Sequence, residues 1–318
     1  MEVQFFGVRG SIAVSGSRIG GNTACVEVTS QGHRLILDAG TGIRALGEQW
    51  MREGRNPRAT LFFSHFHWDH VQGFPFFTPA YKPGTELTLY GPGPTGALDA
   101  QRVLAQQMEP PHFPVRLSAM HSKMTFASAR HGRPIPVGPF LVTPFEVPHP
   151  QGCLAYRIEA DGHVFVYATD VELSAASLPW EVARYLEGAD VLCLDAQYTP
   201  DEYEGRIGIP KKGWGHSTMV DAAQVAKAVG ARRLLLFHHE PSHSDSMVER
   251  MAQEACNTFA ASEPAREGQR IFLGPSSPSP VKKADFQASP DVPEWRVRPD
   301  PERSTLVHWD GATPLRPS

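Results

Sequence analysis

The chain has 318 residues, 41% hydrophobic and 20% charged, with a formal net charge of −4. That length buries one large core or two modest ones, and the negative balance, with no lysine or arginine run, excludes a general attraction to nucleic acid. No apolar stretch approaches the roughly 18 residues of a membrane span, and Met1-Glu2-Val3-Gln4-Phe5-Phe6 opens as a strand rather than a basic leader, so a cytoplasmic protein with no membrane partner is expected.

Residues 3–8 and 25–29 read as strands. Between them lie Arg9-Gly10-Ser11 and Gly20-Gly21-Asn22-Thr23, glycine-rich turns that serve either as plain turns or as a phosphate cradle. Cys25, Cys153, Cys193 and Cys256 stand far apart in apolar segments and read as reduced core residues. The strand at 34–37 runs into Asp38-Ala39-Gly40-Thr41-Gly42, after which Ile43, Leu46 and Trp50 repeat at helical spacing up to Gly54. Asp38 thus stands at a strand-to-helix junction, where a bare aspartate reads as a helix cap.

The apolar run Ala59-Thr60-Leu61-Phe62-Phe63, behind the breaker pair Asn56-Pro57, predicts a buried strand ending at Ser64-His65-Phe66-His67-Trp68-Asp69-His70. Histidines at a strand end can be plain polar groups of a surface loop, but His-x-His-x-Asp-His gathers nitrogen and carboxylate donors of the kind zinc accepts. These donors crowd one ion and suit two: His65 and His67 on one, Asp69 and His70 on the other, with a hydroxide bridging them. The motif resembles that of the metallo-β-lactamase superfamily. The resemblance implies an α/β fold, the αββα four-layer sandwich, and two zinc ions with manganese or iron as alternatives, but it does not fix the reaction. In that superfamily the aspartate matching Asp38 orients the metal-binding histidines from outside the ligand set.

Beyond the motif, Phe74, Phe76 and Phe77 alternate with Pro75 and Pro79, too proline-rich for a helix interior. Trp68 and Phe74 are expected beside the substrate, core packing being the alternative for any one phenylalanine. Residues 91–139, rich in proline and glycine with one helical segment near 98–108, read as an irregular cover over the site. Strands resume at 141–143, 145–147, 154–158 and 164–167, placing His149 and Asp170 after strand ends. Taken alone either is structural. Beside the first motif they match the superfamily's third and fourth ligand positions, the histidine completing one ion's set and the aspartate bridging both.

A strand at 191–194 leads to Asp195-Ala196-Gln197-Tyr198. Lys211-Lys212-Gly213-Trp214-Gly215-His216-Ser217-Thr218 then precedes a helix capped by Thr218 with Asp221 and stopped at Gly230. The strand at 233–237 ends in His238-His239-Glu240-Pro241-Ser242-His243, and Val248, Met251, Ala255 and Phe259 line one face of a last helix. Here the resemblance narrows to RNase Z, the tRNA 3′-processing endonuclease, and its phosphodiesterase relatives. It implies that His238 is the last metal ligand and that His216 protonates the leaving alkoxide; the neighbouring His239 reads as support from outside the ligand set or as packing. For His216 the alternative is a plain helix-start cap. Asp69 and His216 are the expected catalytic residues.

The resemblance covers about residues 2–275. Residues 1–274 are expected to form the catalytic domain, and the Pro/Ser-rich 275–318 a flexible or loosely docked tail. Residues 170–195 carry no glycine-rich basic insertion of the kind that grips tRNA, so the expected substrate is a small phosphodiester. A 3′,5′-cyclic nucleotide opened to a nucleoside monophosphate is the leading expectation. A tRNA 3′-processing endonuclease and a lactonase or thioesterase of the same fold are the alternatives. No stable nucleic-acid partner is expected, and a homodimer is compatible with the sequence.

Overall fold

The structure is a computed structural model that describes residues 1–54 and 57–274; Asn56 of the breaker pair and the expected tail at 275–318 lie outside the described residues. In the first half β1 (Glu2–Gly7), β2 (Cys25–Ser30) and β3 (His33–Leu37) pair antiparallel. β4 (Arg58–Phe62), β5 (Glu86–Pro92) and β6 (Lys123–Ala129) then extend that sheet in parallel from β3. The second half repeats the plan. β7 (Ile135–Val137), β8 (Phe140–Val147), β9 (Cys153–Ala160) and β10 (His163–Ala168) pair antiparallel. β11 (Val191–Asp195), β12 (Leu234–Phe237) and β13 (Ser262–Pro264) follow in parallel. β14 (Arg270–Phe272) crosses back to pair with β1, giving two seven-stranded sheets. The helices α1 (Gly42–Glu53), α2 (Trp68–Val71) and α3 (Gly96–Gln107) belong to the first half. In the second half lie α4 (Trp180–Leu186), α5 (Pro200–Tyr203), α6 (Met219–Ala228) and α7 (Asp245–Cys256).

Three apolar clusters separate the layers. Phe5, Val26, Phe62, Tyr156, Phe165 and Phe237 fill the space between the sheets. Ile43, Leu46, Trp50, Leu61 and Leu104 join helices to the first sheet, and Leu192, Leu194, Ala223, Leu236 and Met251 join helices to the second. The continuous apolar runs follow from this: in β12, Leu234 and Leu236 face helices while Leu235 and Phe237 face the opposite sheet, so no position can be polar. Phe62 stacks on Tyr90 with centroids 4.7 Å apart, and Phe62→Ala should cost about 3–5 kcal/mol through the cavity it leaves. Local signals agree with the core. Gly54 closes α1 at φ 71, and the Thr218 hydroxyl caps α6 by accepting the Asp221 N–H.

The stretch 91–139 differs from expectation. It contains β6 and β7, edge strands of the two sheets, as well as α3. β7 reads Ile-Pro-Val, and proline is tolerated there because β7 is an edge. The two strands expected at 141–147 are one, β8, running through Pro144. Among the described residues no helix is long and apolar enough to cross a membrane.

Candidate metal centre

Parallel pairing sets the chemistry at one edge, because the carboxyl ends of β3, β4, β10, β11 and β12 all point there. Asp38, Asp170 and His238 follow β3, β10 and β12 at φ 60, 49 and 61. The left-handed turn is uncommon for residues with a Cβ, though Asp and His tolerate it better than most. Each such position costs on the order of 1–3 kcal/mol and is held only by what surrounds it.

Two donor clusters share Asp170, and a third group, Asp195, His216 and His238, adjoins them. His65, His67, His149 and Asp170 offer ligand atoms within 4.8 Å of one another, as do Asp69, His70, Asp170 and His238. Asp170 is shared: its Oδ2 lies 3.6 Å from His65 Nε2 and 3.8 Å from His149 Nε2, its Oδ1 3.0 Å from His70 Nε2 and 3.2 Å from His238 Nε2. Four ligands placed tetrahedrally around zinc at 2.0–2.1 Å stand roughly 3.3 Å apart, so these separations fit a metal. The buried Nε2 atoms of His65 and His70 have no hydrogen-bond partner, which suits both to ligate a cation.

The other ring nitrogens are committed, which fixes each tautomer. His70 Nδ1 donates to Asp38 Oδ2 at 2.8 Å, His149 Nδ1 to the Gly215 carbonyl at 2.9 Å, and His238 Nδ1 to Gln197 Oε1 at 3.1 Å. His67 is reversed, its Nε2 donating to Gln151 Oε1 at 3.1 Å while Nδ1 faces His149 Nε2 at 3.3 Å. Asp38 is fully buried and its Oδ2 also accepts from the hydroxyls of Ser64 and Tyr167, both at 2.8 Å. Burial, aided by His70, holds His65 well below the usual imidazole range, and burial likewise lowers His149, leaving both neutral for coordination. Burial opposes ionisation of Asp69 and Asp170, but the surrounding imidazoles outweigh it and hold both carboxyls below the ordinary range.

His216 stands beside this pair. Its ring stacks on His238 with centroids 4.9 Å apart, and its Nδ1 donates to Asp195 Oδ2 at 2.7 Å. Asp195 Oδ1 accepts from the backbone N–H groups of Gln197 and Ser217 at 3.2 and 3.1 Å. Burial works against the imidazolium, yet Asp195 more than compensates and His216 is pushed up to about 9. The ring lines a cleft of about 1880 Å³ that also exposes His65, His67 and His149.

The model of the beta-lactamase superfamily domain matches residues 33–239. The chain belongs to the beta-lactamase superfamily. It is 26% identical over 325 aligned positions to the Ribonuclease Z of Lacticaseibacillus casei, covering 86% of this chain and 95% of that protein. Among solved structures it resembles the metallo-beta-lactamase fold protein YhfI of Bacillus subtilis, with TM-score 0.64 and 22% identity over 85% of this chain and 98% of that one. It also resembles a diphosphatase of the PhnP family, with TM-score 0.62 and 20% identity over 86% and 97% of the two chains.

Within this superfamily domain the seven expected donors all fall in the two clusters, and Asp38 and His216 lie against them. One expectation fails. Phe74 is 0% exposed within the helix-facing core of the first sheet, so it cannot touch a substrate; Phe66, half-buried, lines the cleft instead. The His239 ring turns away from the clusters, bonding the Ala265 carbonyl at 2.9 Å, and burial lowers it to about 3. Its service is through the backbone, since its carbonyl accepts the Gly10 N–H and holds that glycine against the His238 ring. Trp68 is 77% exposed and follows His67 in the chain, but among the described residues the cleft is lined by Phe66 and His67 and not by Trp68. No motif in the sequence marks Asp195, Gln197, Ser64 or Tyr167. Asp195 carried the same signal as Asp38 and Asp170, a carboxylate at the end of a buried strand.

Proposed function

We propose that this metal-dependent hydrolase is a phosphodiesterase acting on a small diester, a 3′,5′-cyclic nucleotide opened to the nucleoside monophosphate. His65, His67, His149 and Asp170 would hold one divalent ion, and Asp69, His70, Asp170 and His238 a second. Zinc suits so nitrogen-rich a set, with manganese or iron as alternatives. When bound, such a pair supplies a water-derived nucleophile at neutral pH and stabilises charge on phosphoryl oxygens.

The chain's own residues supply the rest. Asp38, Gln197 and the Gly215 carbonyl keep three imidazoles in the coordinating tautomer. Asp195 holds the proton on His216 Nδ1, which leaves a protonated Nε2 to serve the departing alkoxide. Trp68 offers a face on which a base can stack, worth about 1–3 kcal/mol.

The observation that carries the reading is the Asp195–His216 pair beside the double cluster. An alkoxide leaving group needs an acid, whereas a thiolate departs without one, so a thioesterase has no use for the pair; a lactone also expels an alkoxide, and assay on lactones beside phosphodiesters separates that reading. Similarity to Ribonuclease Z over most of the chain favours a second reading, cleavage of a tRNA precursor. Against it, among the described residues Asp99, Glu146, Glu181 and Glu204 line the cleft beside only Arg102 and Lys212 as full cations, a poor surface for a polyanion. Purified protein assayed on a panel of cyclic nucleotides and on a tRNA precursor, with and without chelator, tests the proposal. Chelator-sensitive opening of the cyclic diester is expected. Efficient tRNA 3′ processing with cyclic nucleotides untouched would overturn it.

A further inference from the structure

Glu172 lies two residues beyond Asp170, and its backbone N–H donates to the Pro148 carbonyl, next to His149, at 3.1 Å. Its carboxylate reaches the other way. Oε1 accepts from the Tyr203 hydroxyl at 2.5 Å and from the Gly213 N–H at 2.9 Å, and Oε2 accepts from the Gly215 N–H at 2.9 Å. Gly215 is the residue whose carbonyl fixes His149 Nδ1, and His216 follows it directly. Gly213 and Gly215 have φ of 82 and 89, and a Cβ on Gly215 would lie 2.3 Å from His149 Nδ1. A turn built from such glycines has little shape of its own. Two backbone N–H groups converging on one half-buried carboxylate give it one, because hydrogen bonds to an ionised acceptor are roughly twice as strong as neutral ones.

We propose that Glu172 is a positioning residue: it sets the turn at 213–216 and, through the Gly215 carbonyl, the tautomer and ring orientation of His149. The inference rests on the reading of His149 as a metal ligand. Glu172→Gln keeps the shape but replaces one acceptor oxygen by an N–H donor. Whichever way the amide turns, it faces either the Gly215 N–H or the Gly213 N–H and Tyr203 hydroxyl with a second donor, and the turn is released.

The test is zinc affinity by chelator competition on wild type, Glu172→Gln and His149→Ala, with hydrogen exchange of the 213–216 backbone in the metal-free proteins. One of two equivalents should weaken by about 10- to 100-fold in Glu172→Gln, as for other residues that support a ligand, while the second equivalent is unchanged. Exchange at Gly213 and Gly215 should be slow in wild type and at least tenfold faster in the variant. If His149→Ala binds both equivalents normally, the metal reading itself falls. If His149→Ala weakens one equivalent and Glu172→Gln weakens neither, or both alike, only the role of Glu172 falls. Should Glu172→Gln not fold, the wild-type exchange decides, and fast exchange at both glycine amides would overturn the proposal.

Discussion

Replacing Asp195 by asparagine isolates the acid from the metals. In the native site Asp195 Oδ1 faces two backbone donors, at Gln197 and Ser217, and Oδ2 faces His216 Nδ1 at 2.7 Å. An asparagine must keep its oxygen toward the backbone donors, so its NH2 meets His216. The Nδ1 atom then has to accept, and the neutral ring carries its proton on Nε2, where it is far too weak an acid to give it up. The charge is lost as well. Lifting His216 from 6.5 to about 9 is worth roughly 3 kcal/mol in favour of the imidazolium, and without Asp195 burial drives it the other way.

The expected loss of turnover on a ribose alkoxide leaving group is therefore about 10²- to 10⁴-fold, the range for a general acid. A nitrophenolate leaves without a proton, so bis(p-nitrophenyl) phosphate should lose less than about tenfold. The acid works only when protonated, so native activity should be present at neutral pH and fall as pH rises through the His216 value. Bound cations nearby will bring that limb below 9, and Asp195→Asn should move it further to acid or abolish it. Metal content measured alongside guards against indirect loss. Equal losses on the two leaving groups, or an alkaline limb that does not move, would refute the assignment. The raised value also stabilises the metal-free fold: its contribution is full below about pH 6.5 and is lost as pH climbs through about 9, so the melting temperature of stripped protein should decline across that window.

Protein purified without added metal should carry close to two equivalents of transition metal by elemental analysis, and Asp170→Ala, which removes the shared carboxylate, should lose most of both the metal and the activity. Trp68→Ala should raise KM for a cyclic nucleotide by about 5- to 100-fold with kcat nearly unchanged, since the lost stacking is a binding interaction. Phe74→Ala should instead cost about 3–5 kcal/mol of stability by denaturant titration and leave KM alone. Gly10→Ala would place a Cβ 2.4 Å from the His238 ring, and readier loss of metal to a chelator than in wild type is expected.

Much of the site was legible because its residues share one local grammar, a polar residue within two positions of the end of a buried apolar run. Asp38, His65, Asp170 and His238 all obey it, and so does Asp195, although it belongs to no zinc motif. The partners of those residues were not legible. Nothing in the sequence near Tyr167 says that its hydroxyl meets Asp38, because the contact crosses 129 positions and exists only when the two sheets face each other. Phe74 was misplaced for the opposite reason: it lies close in sequence to the metal motif, but the 3₁₀ turn at Phe74–Phe76 swings its ring under α1 into the core. β6 was hidden by glycine and proline on either side, which mark the turns of an edge strand as readily as they mark a loop.

Each cluster is divided between the halves of the sandwich. His65 and His67 come from the first half, His149 and Asp170 from the second, and the other cluster splits Asp69 and His70 from Asp170 and His238 in the same way. Either metal would therefore bind the docked arrangement and not the two halves apart, adding RT ln(1 + [L]/Kd) to the stability of the interface. At a thousandfold excess over Kd that is about 4 kcal/mol per ion. The strained backbone at Asp38, Asp170 and His238 is held by the same docking, so strain and metal oppose each other across one contact. Stripping the metals should then lower the melting temperature of the whole chain in a single transition. A chelator that removed both equivalents and left the melting curve where it was would mean that the sheets hold the site open unaided.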